Sequence, residues 1–81
     1  MTASFTLRFR KQYQKLSKER QLRFDKQLVF LLSNLRHPSL RAKKYDEASD
    51  IWQARVDDDY RFYFQINGDT YMLLSIIPHP K

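Results

Sequence analysis

The sequence predicts an α+β fold in which two N-terminal helices pack on one face of a small, mainly antiparallel sheet. The first half carries an apolar stripe at helical spacing, whereas residues 51–66 alternate between apolar and polar around a short acidic turn. An Asn67-Gly68 dipeptide separates this segment from a further apolar run over residues 70–77. Helices with one apolar stripe can pack on a sheet with one apolar face, so that each buries the apolar surface of the other. The predicted order of elements along the chain is β-α-α-β-β-β-β.

The N-terminal elements follow from the spacing of aromatic and aliphatic residues. The first apolar residues alternate, as in a short strand: Phe5, Leu7 and Phe9. The next ones recur at helical spacing, as in a short helix: Phe9, Tyr13 and Leu16. Ser17 can cap a second helix, and Glu19 is favourable in the first turn of that helix.

The second helix has the longest apolar stripe in the chain. Its main residues keep helical spacing over three turns: Phe24, Leu28, Leu31, Leu32 and Leu35. Three more apolar residues widen the stripe: Leu22, Val29 and Phe30. The helix is predicted to end at His37-Pro38, because the residue before a proline disfavours helical dihedral angles.

Four strands are predicted for the rest of the chain. Residues 40–45 form a strand with a basic edge, and residues 46–50 form a polar loop. The alternating runs 51–57 and 60–66 form a hairpin. Residues 70–77 are apolar on both faces, which is expected of a central strand covered on both sides.

Size and composition restrict the class of protein. The chain has 81 residues, which predicts a single domain spanning residues 1–81. It contains no cysteine, so disulfides and thiolate metal sites are excluded and a reducing compartment is expected. No apolar run reaches the roughly 20 residues of a membrane span, and the first residues lack the order of a secretory signal. We therefore expect a cytoplasmic protein without a membrane partner.

Charge is distributed unevenly along the chain. Residues 1–45 contain 12 Lys/Arg and 2 Asp/Glu, a net charge of +10. Residues 46–81 contain 3 Lys/Arg and 7 Asp/Glu, a net charge of −4. A strongly basic segment in a small domain indicates a nucleic acid or an acidic protein as partner.

The predicted hairpin has two chemically different faces. One face is apolar and comprises Trp52, Ala54, Val56, Tyr60, Phe62, Phe64 and Ile66. The other face, which we call the polar face, comprises Gln53, Arg55, Arg61, Tyr63 and Gln65. It contains two guanidinium groups and no carboxylate. Because a guanidinium presents a planar fork of donors that matches phosphate oxygens, this face suits an anionic ligand.

Four segments together resemble the RelE/ParE superfamily of bacterial toxins, and the resemblance covers nearly the whole chain. Residues 51–56 are similar to an aromatic strand that ends in a basic residue, and residues 60–64 open with the Tyr-Arg pair of the next strand. Residues 73–79 run into a histidine, and residues 40–44 form the basic segment that often comes first. The resemblance implies that a cognate antitoxin holds the protein inactive. RelE-like members cleave mRNA on the ribosome, whereas ParE-like members poison DNA gyrase.

The RelE-like pattern implies three catalytic residues and no metal or cofactor. Metal-independent RNA cleavage needs a base at the attacking 2′-hydroxyl, an acid at the leaving oxygen and cations around the phosphorane. Arg61 would hold the scissile phosphate, and Arg55 would neutralise the developing charge. His79 would transfer a proton, since the ordinary pKa of histidine suits that role near neutral pH.

Four further residues are expected to bind RNA. Lys43 and Lys44 would contact the flanking backbone, Tyr63 would stack on a base, and Gln53 stands where some nucleases have lysine. Structural roles are the alternative: the arginines could pair with the aspartates of residues 57–59, and Tyr63 could be packing. A terminal histidine could equally have no function.

Besides Gln53 in place of a lysine, the chain departs from the RelE-like pattern in two further respects. Many RelE-like nucleases continue into a segment with a tyrosine, whereas here only Pro80 and Lys81 follow the histidine. The polar face offers no carboxylate base, and Glu47 in the preceding loop is the nearest candidate. Three functions therefore stay open: an mRNA endoribonuclease, a ParE-like gyrase inhibitor and a toxin-like binding protein without catalysis.

Overall fold

The computed structural model of the protein describes residues 1–80. In chain order it contains a strand, two helices, a 3₁₀ turn and four more strands. Their bounds are β1 Thr2–Phe5, α1 Leu7–Gln14, α2 Lys18–Ser33, the 3₁₀ turn Pro38–Leu40, β2 Lys43–Asp46, β3 Ile51–Arg55, β4 Tyr60–Asn67 and β5 Thr70–Pro78. No helix in this range is both long enough and apolar enough to cross a membrane.

The five strands within residues 1–80 form one sheet in the order β1-β5-β4-β3-β2. β1 runs parallel to β5, and the other three neighbouring pairs are antiparallel. Both helices pack on one face of this sheet, where the aromatic ring of Phe24 in α2 meets Phe62 in β4 edge-on at 5.2 Å. The predicted fold class and element order are confirmed.

The first strand lies earlier in the chain than the alternation suggested, so that prediction was wrong in its bounds. Thr6 stops β1 and caps α1, because its Oγ1 accepts a hydrogen bond from the Phe9 N–H at 3.1 Å. Leu7 and Phe9 are therefore helical, with Leu7 exposed and Phe9 buried. The threonine cap therefore starts a helix even though the apolar residues on either side of it alternate as in a strand.

Helix α2 begins as predicted and ends earlier. Ser17 is its N-cap and accepts a hydrogen bond from the Arg20 N–H at 3.2 Å. The helix ends at Ser33, because Asn34 takes an extended conformation and its side chain accepts from the Arg36 N–H at 3.0 Å. An asparagine that bonds its own following backbone competes with the helix, so termination precedes His37-Pro38.

The apolar stripe of α2 is narrower than predicted. Phe24 and Leu31 are buried, and three further stripe residues pack against the core: Leu28, Leu32 and Leu35. Leu22 and Val29 are exposed instead of widening the stripe. The opposing sheet residues are those expected, Trp52, Ala54, Phe62 and Phe64.

Two other predicted bounds also shift. The strand predicted at 40–45 is β2 at 43–46, because residues 38–40 form the 3₁₀ turn that buries Leu40. The second hairpin is present, but its two-residue loop is Gly68-Asp69, with Asn67 paired to Thr70. Of these loop residues only Gly68 has positive φ, +60°, which is the pattern of a type II′ turn.

Helix α1 covers the free edge of β5 beyond the end of β1. The last β1 pair is Phe5 with Leu73, and the β4–β5 register then shifts by one residue at Leu74. Thr6 donates to the Leu74 carbonyl at 2.9 Å, and the Ile76 N–H donates to Gln12 at 2.9 Å. These bonds satisfy backbone groups that the sheet leaves unpaired.

Leu31→Ala should lower the free energy of unfolding by about 2–5 kcal/mol, because truncating a fully buried leucine leaves a cavity between α2 and the sheet. Leu22→Ala is the matched control, since Leu22 lies on the same helix and is exposed. Urea unfolding of both variants measures the difference. Equal stability of the two variants would show that α2 is not docked through Leu31.

Candidate functional site

The polar face of the hairpin is present in the structure. In the β3–β4 register, Gln53 is opposite Tyr63 and Arg55 is opposite Arg61. Because partners directly opposite in a ladder project to the same side, these four side chains share the face away from the helices. Lys43 of β2 is opposite Gln53 and extends the polar face to the sheet edge.

Arg61 is held by main-chain carbonyls. Its Nη1 donates to the Asp57 carbonyl at 2.6 Å and to the Tyr60 carbonyl at 2.9 Å. Within residues 1–80 it has no ion pair with a carboxylate, so the alternative of pairing with an aspartate side chain of the turn is not observed there. The guanidinium is thus fixed in position, and no carboxylate in this part of the chain forms an ion pair with it.

Arg55 forms the ion pair with a turn aspartate that the sequence analysis gave as its structural alternative. Its Nη2 forms an ion pair with the Asp58 carboxylate in the turn. Asp58 is exposed, and an exposed ion pair contributes little to stability. A phosphate could therefore replace Asp58 at small cost, and two arginines directly opposite in a sheet repel each other unless an anion lies between them.

Gln53 and Tyr63 form a buried polar pair on this face. The Gln53 Nε2 donates to the Tyr63 hydroxyl at 2.9 Å, and the two residues are only 6% and 7% exposed. The ring of Tyr45 covers Tyr63 edge-on, with centroids 4.9 Å apart and planes at 71°. Little of the Tyr63 ring is left for stacking on a base.

The two lysines lie on opposite faces of the sheet. Lys43 is exposed on the polar face, whereas Lys44 is opposite Trp52 and its ammonium lies 5.1 Å from the Trp52 ring. Lys44 also pairs with Asp50 and, at 3.9 Å, with Glu47. A hydrogen bond to Asp50 is the main reason that the pKa of Lys44 is raised. Only Lys43 therefore adds charge beside the two arginines.

His79 continues the β4–β5 ladder beyond the last strand residue. Its N–H donates to the Asp59 carbonyl at 2.7 Å, so this part of the backbone is paired and not frayed. Strand alternation places His79 on the same side as Ile77, which is opposite Arg61. The His79 Nδ1 is buried without a hydrogen-bond partner among residues 1–80. A buried ring nitrogen without a partner costs stability and therefore calls for a functional explanation.

Sequence reasoning missed the residues that attach α2 to the hairpin. The Asp57 carboxylate accepts from Arg20 Nε at 2.9 Å and Arg23 Nη1 at 3.1 Å. Its other oxygen accepts the N–H groups of Asp59 and Tyr60, each at 2.9 Å. Burial alone would raise the pKa of Asp57, but these hydrogen bonds outweigh it and lower the pKa to about 2.

Gln27 is the second missed residue. It is buried in α2, and its Nε2 donates to the Arg55 carbonyl at 2.7 Å and to the Ser39 carbonyl at 3.0 Å. Its Oε1 accepts from the Ser39 hydroxyl at 2.8 Å. The only signal in the sequence is one glutamine within an apolar helical stripe. This side chain fixes the main chain at Arg55.

Solved structures share this architecture closely. A YoeB/ParE toxin from Agrobacterium tumefaciens superposes with a TM-score of 0.83 over 99% of this chain and 100% of that chain, at 13% identity. The chain has the fold of the RelE/ParE toxin superfamily. A YoeB dimer from Staphylococcus aureus gives a TM-score of 0.82 at 13% identity, covering 99% of this chain and 98% of that one.

An archaeal RelE–RelB complex from Pyrococcus horikoshii gives a TM-score of 0.77 at 21% identity, covering 95% of this chain and 91% of that one. The sequence itself matches no family model and no curated protein. The RelE/ParE resemblance drawn from four short segments is confirmed at the level of the fold. At such low sequence identity, the structural match establishes the fold and not the roles of individual residues. Those roles rest on the geometry of the polar face.

Acid should weaken the fold through Asp57. Its folded pKa of about 2 lies below the ordinary value of 3.8, so its stabilising effect is complete above about pH 4 and is lost as the pH falls towards 2. The shift corresponds to about 2 kcal/mol. Unfolding free energies at several pH values should show this loss in the wild type and not in Asp57→Asn. Asp58→Asn, at an exposed neighbour, is the control and should keep the acid dependence.

Proposed function

We propose that the protein is the toxin of a type II toxin–antitoxin system and acts in the cytoplasm as a ribosome-dependent, metal-independent mRNA endoribonuclease that inhibits translation. The observation that carries this proposal is the register of Arg55 and Arg61, which puts the two arginines opposite each other on the polar face. Two arginines so placed repel each other, Asp58 offsets the charge of Arg55 alone, and a phosphate between them would bind both. The shared fold with RelE and YoeB toxins supports the same assignment.

The chemistry would be an in-line transfer at phosphorus. The ribose 2′-oxygen attacks the adjacent phosphate and loses its proton to a base. The bond from phosphorus to the 5′-oxygen breaks as that oxygen gains a proton, which leaves a 2′,3′-cyclic phosphate and a 5′-hydroxyl. Arg61, already fixed by two carbonyls, would hold the phosphate oxygens without reorganising, and Arg55 would join it on release from Asp58.

His79 would move one of the two protons. Its place two residues beyond Ile77, on the side of Arg61, supports this role, and its Nδ1 has no hydrogen-bond partner in residues 1–80. The other proton needs a second group. Glu47 pairs with Lys44, whose side chain lies on the helix face, so Glu47 is directed away from the arginines. We therefore do not include Glu47 in the proposed chemistry.

Arg61→Ala should reduce cleavage of mRNA on programmed ribosomes by about 10²–10³-fold, since it removes one preorganised donor. His79→Ala should reduce it by about 10²–10⁴-fold, the usual contribution of a general acid or base. Arg61→Lys should restore little, because lysine keeps the charge and loses the fork. Arg8→Ala, an exposed arginine of α1, removes the same charge and should cleave normally.

The same experiment separates the alternatives. Transcript ends within translated codons, carrying a cyclic phosphate and a 5′-hydroxyl, support the nuclease. Double-strand DNA breaks with filamentation would identify a gyrase inhibitor instead. Full toxicity of the Arg61→Ala, His79→Ala double variant would show a protein that acts by binding alone.

A cognate antitoxin is the proposed protein partner. Structural neighbours include complexes of RelE with RelB and of YoeB with YefM, described as toxin–antitoxin complexes. With a net charge of +10 in residues 1–45, the partner should be an acidic segment, partly helical or disordered, that folds on binding and covers Lys43 and Lys44.

Salt should slow the association of toxin and antitoxin. Complementary charge mainly accelerates encounter, and its effect falls as ions screen it. Stopped-flow association at increasing salt should give a steep fall in on-rate with a smaller change in off-rate. An on-rate insensitive to salt would indicate that apolar contacts guide the encounter.

A further inference from the structure

An exposed aromatic residue at the edge of the polar face has no role in the assignments above. Tyr45 is 61% exposed. Within residues 1–80 it is the one large apolar residue with such exposure in strands β2–β5, because the other four lie in the helices or at Met1. Large exposed apolar groups on small proteins frequently mark binding sites.

Strand alternation places this tyrosine on the polar face, next to a β-bulge. Lys44 pairs with Trp52 and Asp46 pairs with Ile51, so Tyr45 is the extra residue between two consecutive partners on β3. Lys44 lies on the helix face, so the next residue, Tyr45, points to the other face and contacts Tyr63 there. Bulges occur frequently beside active sites.

The exposed ring stands on a rigid support. Tyr63 meets it edge-on at 4.9 Å and is itself fixed by the hydrogen bond from Gln53. Both supporting residues are buried, so their conformations are set by packing. An aromatic ring that is oriented before binding loses little entropy when a planar group stacks on it.

We propose that Tyr45 stacks on a base of the single-stranded RNA that the polar face binds. This inference rests on the proposed function and adds a base-binding subsite to it. Tyr45 lies two strands from Arg61 and about four residues away along the strands, so roughly 16 Å separates the two positions. An extended strand of RNA with its phosphate at Arg61 would carry a nearby base to Tyr45. Lys43, exposed on the same strand and face, would bind the backbone between them.

RNA is the occupant for which we argue, rather than an antitoxin side chain, because the ring shares a face with the arginines proposed to hold a phosphate. The polar face presents Lys43, Arg55 and Arg61, and its arginines are placed for a phosphate. Base stacking on an aromatic ring is tolerant of sequence, since every base has a flat apolar face. We therefore expect RNA binding at Tyr45 to depend more on the presence of a base than on which base it is.

The test compares Tyr45→Ala and Tyr45→Phe in the full chain, using short single-stranded RNA that carries one 2-aminopurine. Tyr45→Ala should weaken binding by roughly 5- to 100-fold, the usual range for losing one stacked base, and remove the fluorescence quenching. Tyr45→Phe should behave as the wild type, because it keeps the ring. Leu22→Ala, an exposed apolar residue on α2, is the control and should bind normally.

Abasic nucleotides locate the stacked base. One abasic nucleotide is placed at successive positions of the mRNA on programmed ribosomes. At one position it should weaken mRNA binding by the wild type and leave binding by Tyr45→Ala unchanged, which is the signature of a direct contact. Equal RNA binding by Tyr45→Ala and the wild type would overturn the inference. So would a Tyr45→Ala variant that loses antitoxin binding alone, or a wild type that binds no RNA. If Arg61→Ala loses cleavage while Tyr45→Ala keeps it, only the stacking subsite fails.

Discussion

The carboxylate of Asp57 is the contact on which the geometry of the polar face depends. It binds two arginines of α2 on one side and the backbone of its own turn on the other. Its main-chain carbonyl accepts the Arg61 guanidinium, so one residue connects the helix, the turn and the proposed phosphate ligand. Gln27 adds a second attachment at the Arg55 carbonyl. Through these contacts, docking of α2 determines where both arginines lie.

This arrangement holds Arg61 ready for its ligand. A free arginine side chain has many rotamers, and fixing one on binding costs conformational entropy. Hydrogen bonds to two carbonyls of the ordered turn already fix the rotamer in the folded protein, so this entropy is lost during folding and not on binding. Carbonyls orient a guanidinium without cancelling its charge, whereas a carboxylate would compete with a phosphate. The structure thus separates the positioning of Arg61 from the neutralisation of its charge.

Periodicity in the sequence predicted the fold class, the order of elements along the chain and the two faces of the hairpin, because burial of alternating and helical stripes depends on local spacing. The bounds set by single side chains were not predictable in that way. Thr6 and Asn34 end elements through hydrogen bonds to neighbouring backbone, which outweigh the apolar pattern. The bulge at Tyr45 depends on pairing with β3, so nothing in residues 43–46 alone shows it. Asp57 likewise acts through partners more than thirty residues away.

Net charge along the chain is a poor guide to the charge of the polar face. Residues 46–81 have a net charge of −4, yet they supply Arg55 and Arg61. The face stays cationic because most acidic groups around it are bound elsewhere: Asp57 and Asp59 by Arg20 of α2, and Glu47 and Asp50 by Lys44 on the helix face. Apart from Lys43, the basic first half therefore acts on the site indirectly. Its arginines bind Asp57 and Asp59 on the helix side of the turn, so that only Asp58 pairs with an arginine of the polar face.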